Sequence, residues 1–254
     1  MTAAARVTER EIRFFAATWR ANVVTLFGVP CLFLVALGIG LGGLIDDRAS
    51  LDGLDYVTFL TPGLMVGAAA QLATGTGLWP VMAGHRWVGF HRAMVTTPIR
   101  PSSIVAGLIG WVGVRSAAQA GVVLSFAVVL GAVTSPWAVA AVAIAALTAV
   151  AFAAPTMAYA ATCDSDRAFD PIMRVVAQPL YLFSGAFFPA DTLPLGLRGL
   201  MACFPLWHGI ELARWATAGR SPSWSPGLHL VVIVVWAAGG WLVARRTFAA
   251  RLTP

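Results

Sequence analysis

The sequence of 254 residues contains no lysine, and all 17 of its basic residues are arginine. A Walker-type phosphate loop needs a lysine beside the β- and γ-phosphates of its nucleotide. The chain is therefore not a P-loop ATPase by itself. Cysteine is also scarce. Cys31, Cys163 and Cys203 have no obvious partners, so we interpret them as inert small hydrophobic residues rather than as a disulfide framework.

Charged residues make up only 11% of the chain, whereas apolar residues make up 59%. Soluble domains carry about 25% charged residues. Several apolar runs reach roughly 20 residues, which is enough to cross about 30 Å of hydrocarbon. The composition therefore predicts an all-α membrane protein with one integrated domain over residues 1–254. The net charge of +6 does not indicate a nucleic-acid partner, because the arginines cluster beside the predicted membrane ends.

The apolar runs predict six transmembrane helices, at residues 23–45, 57–82, 103–131, 136–162, 172–188 and 228–244. An amphipathic helix is predicted before them, at residues 6–22. Its aromatic face includes Phe15 and Trp19, and its adjacent face carries arginines. A helix with these two faces is typical of a segment that lies in the membrane surface.

Residues 184–214 are largely apolar but are interrupted by Pro189, Pro194 and Pro205. Proline removes a backbone donor and clashes with the preceding helical turn, so no single straight helix can carry all three. An apolar, proline-interrupted segment beside a membrane span is typical of a re-entrant or interfacial hairpin. We predict such a hairpin on the extracytoplasmic side, between the fifth and sixth helices.

The distribution of arginine predicts the topology. The N-terminus, residues 83–102, residues 163–174 and the C-terminus together hold 12 arginines, and the other side holds 4. Cytoplasmic loops carry an excess of positive charge. Both termini are therefore predicted in the cytoplasm, as six spans require, and the chain in the plasma or inner membrane. The acidic residues among 46–56 are predicted to form a solvated outer loop.

Arg115, Gln119 and Gln71 are candidate polar side chains within the predicted spans. A charge at the centre of a membrane helix costs roughly 2.5–3.5 kcal/mol on insertion scales and must find a partner or water. Arg115 and Gln119, one turn apart, either line a route through the bundle or form structural bonds between helices. The sequence leaves both interpretations open.

The two inner loops carry the other candidate groups. His85 and His91 are six residues apart, too far for one helical face to present both to a metal, so we expect them to be solvent-exposed. The aspartates of residues 163–174 form a weak metal pattern, and a turn that contacts a partner is the preferred interpretation. We therefore predict no metal site. Residues 83–102 should form a cytoplasmic loop with a short helix that ends at Pro98.

Four segments together resemble the membrane subunits of type-2 ABC exporters, in particular the permeases of daunorubicin efflux and nodulation-factor export. The helix at residues 6–22 resembles their elbow helix. YVTFLTPGL at residues 56–64 is similar to the start of their second span, and RAMVTTP at 92–98 to their inner-loop motif. FSGAFFP at 183–189, LP at 193–194 and PLWHGIELAR at 205–214 are similar to the signature after their fifth span. The likeness covers nearly the whole chain.

The resemblance implies a non-catalytic transport subunit that moves a lipophilic or amphipathic cargo, such as a drug, lipid or glycolipid, out of the cytoplasm or inner leaflet. It implies no cofactor in this chain, a separate cytoplasmic ATPase subunit that binds ATP and magnesium, a second permease copy and surrounding membrane lipids. The implied ATPase-coupling loop comprises Arg86, Trp87, Phe90, His91, Arg92, Met94, Thr97, Pro98 and Arg100. The implied secondary cytoplasmic contact comprises Asp164, Asp166, Arg167 and Asp170.

The same resemblance gives a hairpin signature of Ser184, Gly185, Phe188, Pro189, Pro194, Pro205, His208, Glu211 and Arg214. Glu211 and His208 would either gate the exit or stabilise the hairpin. One position departs from the family, because an acidic residue is frequent where this chain has Arg92. A partner that contacts Arg92 would be expected to carry a matching acidic patch.

Two other classes of protein compete with this interpretation. An ion-driven secondary transporter would be expected to carry paired carboxylates within the membrane, but the six predicted spans contain no Asp or Glu. A membrane-embedded enzyme would need a nucleophile with a base, or a metal cluster. His208 and Glu211 are three residues apart, but the sequence offers no nucleophile beside them.

Overall fold

The computed structural model describes residues 2–40, 51 and 53–253, and the regular structure in this part of the chain is entirely helical. Four π-helical segments, at Val24–Gly28, Leu34–Ile39, Ala83–Trp87 and Ile172–Ala177, join or extend the α-helices. In chain order the α-helices are α1 (Ala3–Ala17), α2 (Trp19–Val23), α3 (Val29–Phe33), α4 (Tyr56–Met82), α5 (Phe90–Val95), α6 (Pro101–Val129), α7 (Ala140–Thr162), α8 (Phe169–Pro171), α9 (Gln178–Leu182), α10 (Leu195–Ala202), α11 (Pro205–Ala218) and α12 (Pro226–Leu252).

Among the described residues, four helical stretches are long and apolar enough to cross a membrane: Tyr56–Trp87, Pro101–Val129, Ala140–Thr162 and Pro226–Leu252. They correspond to the predicted second, third, fourth and sixth spans. The alanine-rich helix α7 lies at the centre of the bundle and packs against α4, α6, α11 and α12. Its small side chains permit a close approach of neighbouring backbones. A methyl group at Gly240 of α12, for example, would lie 2.6 Å from Cδ of Pro155.

The predicted first span, residues 23–45, is helical as far as Ile39 through α2, α3 and two π-helical segments. Its apolar part is the helix Leu26–Gly38, which is shorter than the four long helices. Residues 41–45 lie outside the described residues, as do Asp46, Asp47, Arg48 and Asp52 of the predicted outer loop. The crossing by this segment stays a prediction.

The predicted fifth span, residues 172–188, differs from the observed helix. Helical structure begins at Phe169 and ends at Leu182, six residues before the predicted bound. The helix ends because the hydroxyl of Ser184 donates to the carbonyl of Tyr181 and because Gly185 adopts a positive φ of 77°, a conformation that glycine adopts without strain. Fourteen helical residues extend about 21 Å, less than the hydrocarbon thickness of about 30 Å.

Within the predicted hairpin, residues 184–214, each proline begins a helix. Pro189 precedes a 3₁₀ turn at Ala190–Thr192, Pro194 precedes α10, and Pro205 is the first residue of α11. The first turn of a helix tolerates proline because its backbone donors have no intrahelical acceptor. Helix α11 packs against α4, α7 and α12. The depth to which the hairpin enters a membrane stays a prediction.

The amphipathic helix predicted at residues 6–22 is observed as α1, which begins earlier, at Ala3, where Thr2 caps its first turn, and ends earlier, at Ala17. Its buried side packs on α6. The hydroxyl of Thr8 donates to the carbonyl of Gly107 at 2.9 Å, and a methyl group at Gly107 would lie 2.5 Å from Cβ of Val7. Glycine at position 107 therefore permits the short distance between α1 and α6.

Candidate functional site

One end of the bundle brings together α1, α5, the loop after α7 and the last turns of α12. We call it the α5 end. The guanidinium carbon of Arg10 lies 3.8 Å from the ring centre of Phe90, which joins α1 to α5. The ring of His91 packs against Phe248 of α12, with the ring centres 5.7 Å apart. The four segments richest in arginine thus meet at one end.

Helix α5 forms the predicted short helix of residues 83–102. The chain turns back at Gly89, where φ is 74°, and the helix ends just before Thr96, Thr97 and Pro98. Of the predicted coupling residues, Phe90, His91, Arg92 and Met94 lie on α5 itself, where Phe90 and Met94 are half-buried. The exposed members are Arg86, Trp87, Arg92, Thr97, Pro98 and Arg100.

The expectation that His85 and His91 are solvent-exposed was wrong. They are 4% and 0% exposed, and their ring centres are 4.7 Å apart. The turn at Gly89 folds α5 onto the preceding π-helical segment, where a methyl group at Gly84 would lie 2.2 Å from Cε1 of His91. Burial lowers the pKa of His91 to about 3. The two nearby glycines were the sequence signal for this packing.

Asp164 joins three segments at the α5 end. Its Oδ1 atom accepts hydrogen bonds from Nη2 of Arg86 at 2.5 Å and from Nη2 of Arg251 at 2.6 Å. The bond from Arg251, followed by the charges of Arg86 and Arg251, holds the pKa of this carboxyl below its usual value. The other predicted members of this secondary contact are all exposed: Asp166, Arg167 and Asp170.

The opposite end of the bundle, which we call the hairpin end, is held by the signature residues Glu211 and Arg214. Arg214 donates through Nη1 to Oε1 of Glu211 at 2.7 Å and through Nη2 to the carbonyl of Gly185 at 2.8 Å. Oε2 of Glu211 accepts from the backbone N and the hydroxyl of Ser223, at 3.1 and 2.9 Å. Both carboxylate oxygens of Glu211 therefore have partners.

His208, predicted beside Glu211, is instead bonded to His229 of α12, with 2.8 Å between their Nδ1 atoms. Nε2 of His208 lies 2.9 Å from the carbonyl of Ala202. A neutral His208 that donates to this carbonyl accepts through Nδ1, so His229 donates from its Nδ1. Trp207 and Trp224 surround the pair. The sequence analysis missed His229, because no local motif marks it.

Arg115 lies midway along α6 and connects two other helices. Its Nη2 atom donates to Oδ1 of Asn22 at 3.1 Å, and its Nη1 atom approaches the hydroxyl of Thr76 at 3.5 Å. The ring centre of Phe15 lies 5.6 Å from its guanidinium carbon. These contacts join α6 to α2 and α4.

The other two intramembrane polar residues, Gln119 and Gln71, face a cavity of about 450 Å³ between α3, α4, α6 and α9. Nε2 of Gln71 donates to the carbonyl of Ala177 at 3.1 Å and lies 3.4 Å from Oε1 of Gln178. Gln178, which the sequence analysis did not single out, lines the same cavity. Arg115 thus joins helices, whereas Gln119 is buried beside this cavity.

Residues 3–217 match the family described as ABC-2 type transporter. The chain belongs to the ABC-2 type transporter family. It is therefore a membrane-embedded, multi-pass permease and the membrane subunit of an ABC exporter. Members of this family are transport subunits and generally non-catalytic, and the family implies an ABC ATPase partner.

Individual relatives cover most of the permease. The Nodulation protein J of Rhizobium leguminosarum bv. viciae is 27% identical over 232 residues, which cover 91% of this chain and 88% of that protein. The protein of the same name from Rhizobium meliloti is 26% identical and covers 92% and 88%. That from Neorhizobium galegae is 27% identical and covers 94% of each chain. These relatives confirm the predicted resemblance to exporter permeases.

Proposed function

We propose that this permease uses ATP hydrolysis by a separate cytoplasmic ABC subunit to move a lipophilic or amphipathic cargo outward. The observation that carries the proposal is the construction of the α5 end. Arg92, Thr97 and Pro98 are exposed there, while His91 on the other side of the same short helix packs against Phe248. A partner that displaces α5 would thereby displace α12.

Other contacts would spread the same displacement through the bundle. Arg10 on the ring of Phe90 connects α5 to α1, and Thr8 connects α1 to α6. Asp164, in the loop after α7, accepts hydrogen bonds from Arg86, which follows α4, and from Arg251 of α12. ATP can drive such a change only if the ATPase binds the nucleotide with different affinity in the two arrangements. Residues 83–102 would be the main coupling element, and residues 163–174 a secondary contact.

The α5 end would face the cytoplasm of the plasma or inner membrane, with both termini on that side. This orientation is supported by the distribution of arginine. Helix α1, both inner loops and the end of α12 meet at the α5 end and together hold 12 of the 17 arginines, and positive charge is in excess on the cytoplasmic side of membrane proteins. The four long helices, the helix Leu26–Gly38 and the segment from Phe169 would supply the six spans. The hairpin at residues 184–214 would enter the outer leaflet.

A second copy of the permease would complete the exporter. Support comes from the side of the molecule that carries α3 and the helix from Phe169 to Leu182. Exposed apolar side chains cover this side, including Leu32, Phe33, Val175 and Val176. It flanks the cavity of about 450 Å³, so a second copy placed against it would enclose a route for cargo. Membrane lipids would cover the remaining apolar surface.

ATP hydrolysis by the purified complex of permease and ATPase tests the coupling. Arg92→Glu should lower hydrolysis by about tenfold, because a partner surface that matches an arginine repels a carboxylate. Replacement of residues 86–98 by a flexible linker should abolish the dependence of hydrolysis on the permease. Arg246→Glu, the same charge change at an exposed arginine of α12, is the matched control and should change little. If the linker leaves assembly and hydrolysis intact, the coupling role proposed for residues 83–102 is wrong.

A further inference from the structure

Arg115, midway along α6, carries a charge that no acidic side chain of the described residues balances. Its Nη2 atom donates to Oδ1 of Asn22 at 3.1 Å, and its Nη1 atom approaches the hydroxyl of Thr76 at 3.5 Å. Both partners are neutral. Among the ion pairs that the described residues form, none includes Arg115. A charge carried by a membrane helix needs a counter-ion or water, so the balancing group is to be sought outside this part of the chain.

The contacts of Arg115 indicate its level in the membrane. Thr76 is 20 residues after Tyr56, the first residue of α4, and a helix of this length extends about 30 Å, the thickness of the hydrocarbon. Asn22 directly precedes residue 23, where the first span is predicted to begin. Trp19 of the same helix is 51% exposed, and tryptophan is enriched where membrane meets water. The guanidinium of Arg115 therefore lies near the lipid head groups on the side of the α5 end.

The guanidinium of Arg115 has donors left for a ligand. The side chain is only half-buried. Its Nε atom is enclosed by the protein, so this atom is not available to a ligand. The contacts with Asn22 and Thr76 use one N–H group of Nη2 and one of Nη1, which leaves a second N–H group on each atom. Two such donors suit two oxygens of one phosphate group, the anion that arginine binds particularly well.

The surroundings of Arg115 favour a phosphate that belongs to a lipid of net negative charge. Arg20, two residues before Asn22, is exposed, and its guanidinium carbon lies 5.9 Å from the ring centre of Trp19. The ion pairs of the described residues do not include Arg20 either. A zwitterionic head group carries its own ammonium, whereas an anionic one has a net charge for these arginines. Val24, 66% exposed, supplies apolar surface for an acyl chain.

We propose that Arg115 binds the phosphate group of an anionic phospholipid in the cytoplasmic leaflet. The remaining N–H groups of Nη1 and Nη2 donate to phosphate oxygens, Asn22 orients the guanidinium, and an acyl chain lies along Val24. The lipid supplies the counter-ion that the described residues lack. The choice of leaflet rests on the proposed orientation of the permease, whereas the contact between Arg115 and the phosphate does not.

Native mass spectrometry of the purified permease, released from detergent micelles, tests the site. Phosphatidylglycerol should bind about tenfold more tightly than a phosphatidylcholine with the same acyl chains. Inorganic phosphate should not displace the phosphatidylglycerol, because it lacks the acyl chains. Arg115→Gln should weaken the binding of the first phosphatidylglycerol by about tenfold, the usual loss for a hydrogen bond to a charged group.

Arg245→Gln is the matched control, because it removes the same charge from another arginine beside an aromatic ring. The guanidinium carbon of Arg245 lies 5.2 Å from the ring centre of Trp241, and that of Arg115 lies 5.6 Å from Phe15. Arg245 is exposed on α12, and its variant should bind phosphatidylglycerol as the native protein does. If Arg115→Gln does not fold, hydrogen exchange of the native protein decides: phosphatidylglycerol, but not phosphatidylcholine, should slow exchange at residues 18–24.

Four outcomes would overturn the proposal: equal binding of the two lipids, displacement by inorganic phosphate, unchanged affinity of folded Arg115→Gln, or an equal loss in Arg245→Gln. The assay contains no ATPase, so its failure is separate from a failure of coupling. Equal binding of the two lipids together with hydrolysis that depends on Arg92 would remove the lipid site and keep the exporter. Selective binding together with hydrolysis that ignores residues 86–98 would keep the site and remove the coupling.

Discussion

The guanidinium of Arg214 donates to the carboxylate of Glu211 across 2.7 Å, and only 7% and 11% of their side chains are exposed. Removal of one member of a buried ion pair leaves the other charge uncompensated, which costs about 3–5 kcal/mol. Glu211→Gln and Arg214→Met should therefore each lower the free energy of unfolding by an amount of this order. Denaturant unfolding of the purified permease in detergent measures it.

The double variant Glu211→Gln with Arg214→Met is the internal control for this pair, because it leaves no isolated charge. It should be more stable than Arg214→Met alone, since coupled residues do not contribute additively. Strict additivity of the two single losses would show that the two side chains act independently, contrary to the observed bond.

The close contact of α4 with the hairpin depends on Gly63. A methyl group there would lie 2.6 Å from both Cα and the carbonyl oxygen of Ala186. Because the obstacle is backbone, Gly63→Ala should destabilise the protein by about 1–3 kcal/mol through overpacking. Gly121→Ala on α6 is the control, because nothing lies within 4 Å of the added group. It should be neutral or stabilising, and thermal unfolding of the two variants compares them.

The apolar runs sufficed to predict four of the long helices, because a helix that crosses hydrocarbon must be apolar over its whole length. The end of the fifth predicted span could not be read from hydropathy. Residues 183–188 are as apolar as the helix before them, and the helix ends through a bond of Ser184 and the φ of Gly185. The prolines of the hairpin were expected as breaks, and each does separate two helical segments, the second of which starts at or just after the proline.

At the α5 end, the short helix that was expected to end at Pro98 ends three residues earlier, at Val95, and the burial of His85 and His91 was not anticipated. Their sequence separation was judged on a straight helix, whereas Gly89 reverses the chain and places the rings together. His229 was missed for a related reason. Its partner His208 is 21 residues away on another helix, and contacts of that kind follow from packing rather than from local sequence.

Buried His91 should make stability sensitive to acid. Burial, with a smaller contribution from the charges of His85 and Arg10, lowers its folded pKa to about 3, whereas an unfolded histidine titrates near pH 6.5. Between these values the unfolded chain binds more protons, so stability is full above about pH 6.5 and falls as the pH drops towards 3. The slope for one histidine is about 1.4 kcal/mol per pH unit.

His91→Phe tests this dependence, since it keeps an aromatic ring against Phe248 and removes the titrating group. Unfolding of the native protein and the variant, followed from pH 7 to pH 4, should give a shallower loss of stability in the variant. An identical slope in both proteins would contradict the assignment of this acid sensitivity to His91.

The hydrogen bonds that Asp164 accepts from Arg86 and Arg251 should restrain the loop after α7. Asp164→Asn removes the charge that two arginines bond, so the backbone amides of residues 163–169 should exchange with solvent faster. Because the pKa of Asp164 lies below its usual value, the carboxylate is ionised at neutral pH and both bonds are present. They are lost only when strong acid protonates the carboxylate. Asp166→Asn, two residues away on an exposed side chain, is the control. Equal acceleration in both variants would mean that the bonds from Arg86 and Arg251 do not restrain the loop.

The central claim is that the ATPase binds at the α5 end, and cross-linking of single cysteines tests it most directly. Thr97 and Thr192 are matched positions at opposite ends, because both are exposed and both hydroxyls bond a carbonyl three residues earlier. Each is replaced by cysteine in a permease whose Cys31, Cys163 and Cys203 have been changed to serine. A short thiol-reactive cross-linker is then added to the complex with the ATPase. The account predicts an adduct with the ATPase from Thr97→Cys and none from Thr192→Cys. An adduct from the hairpin end, with none from the α5 end, would contradict it.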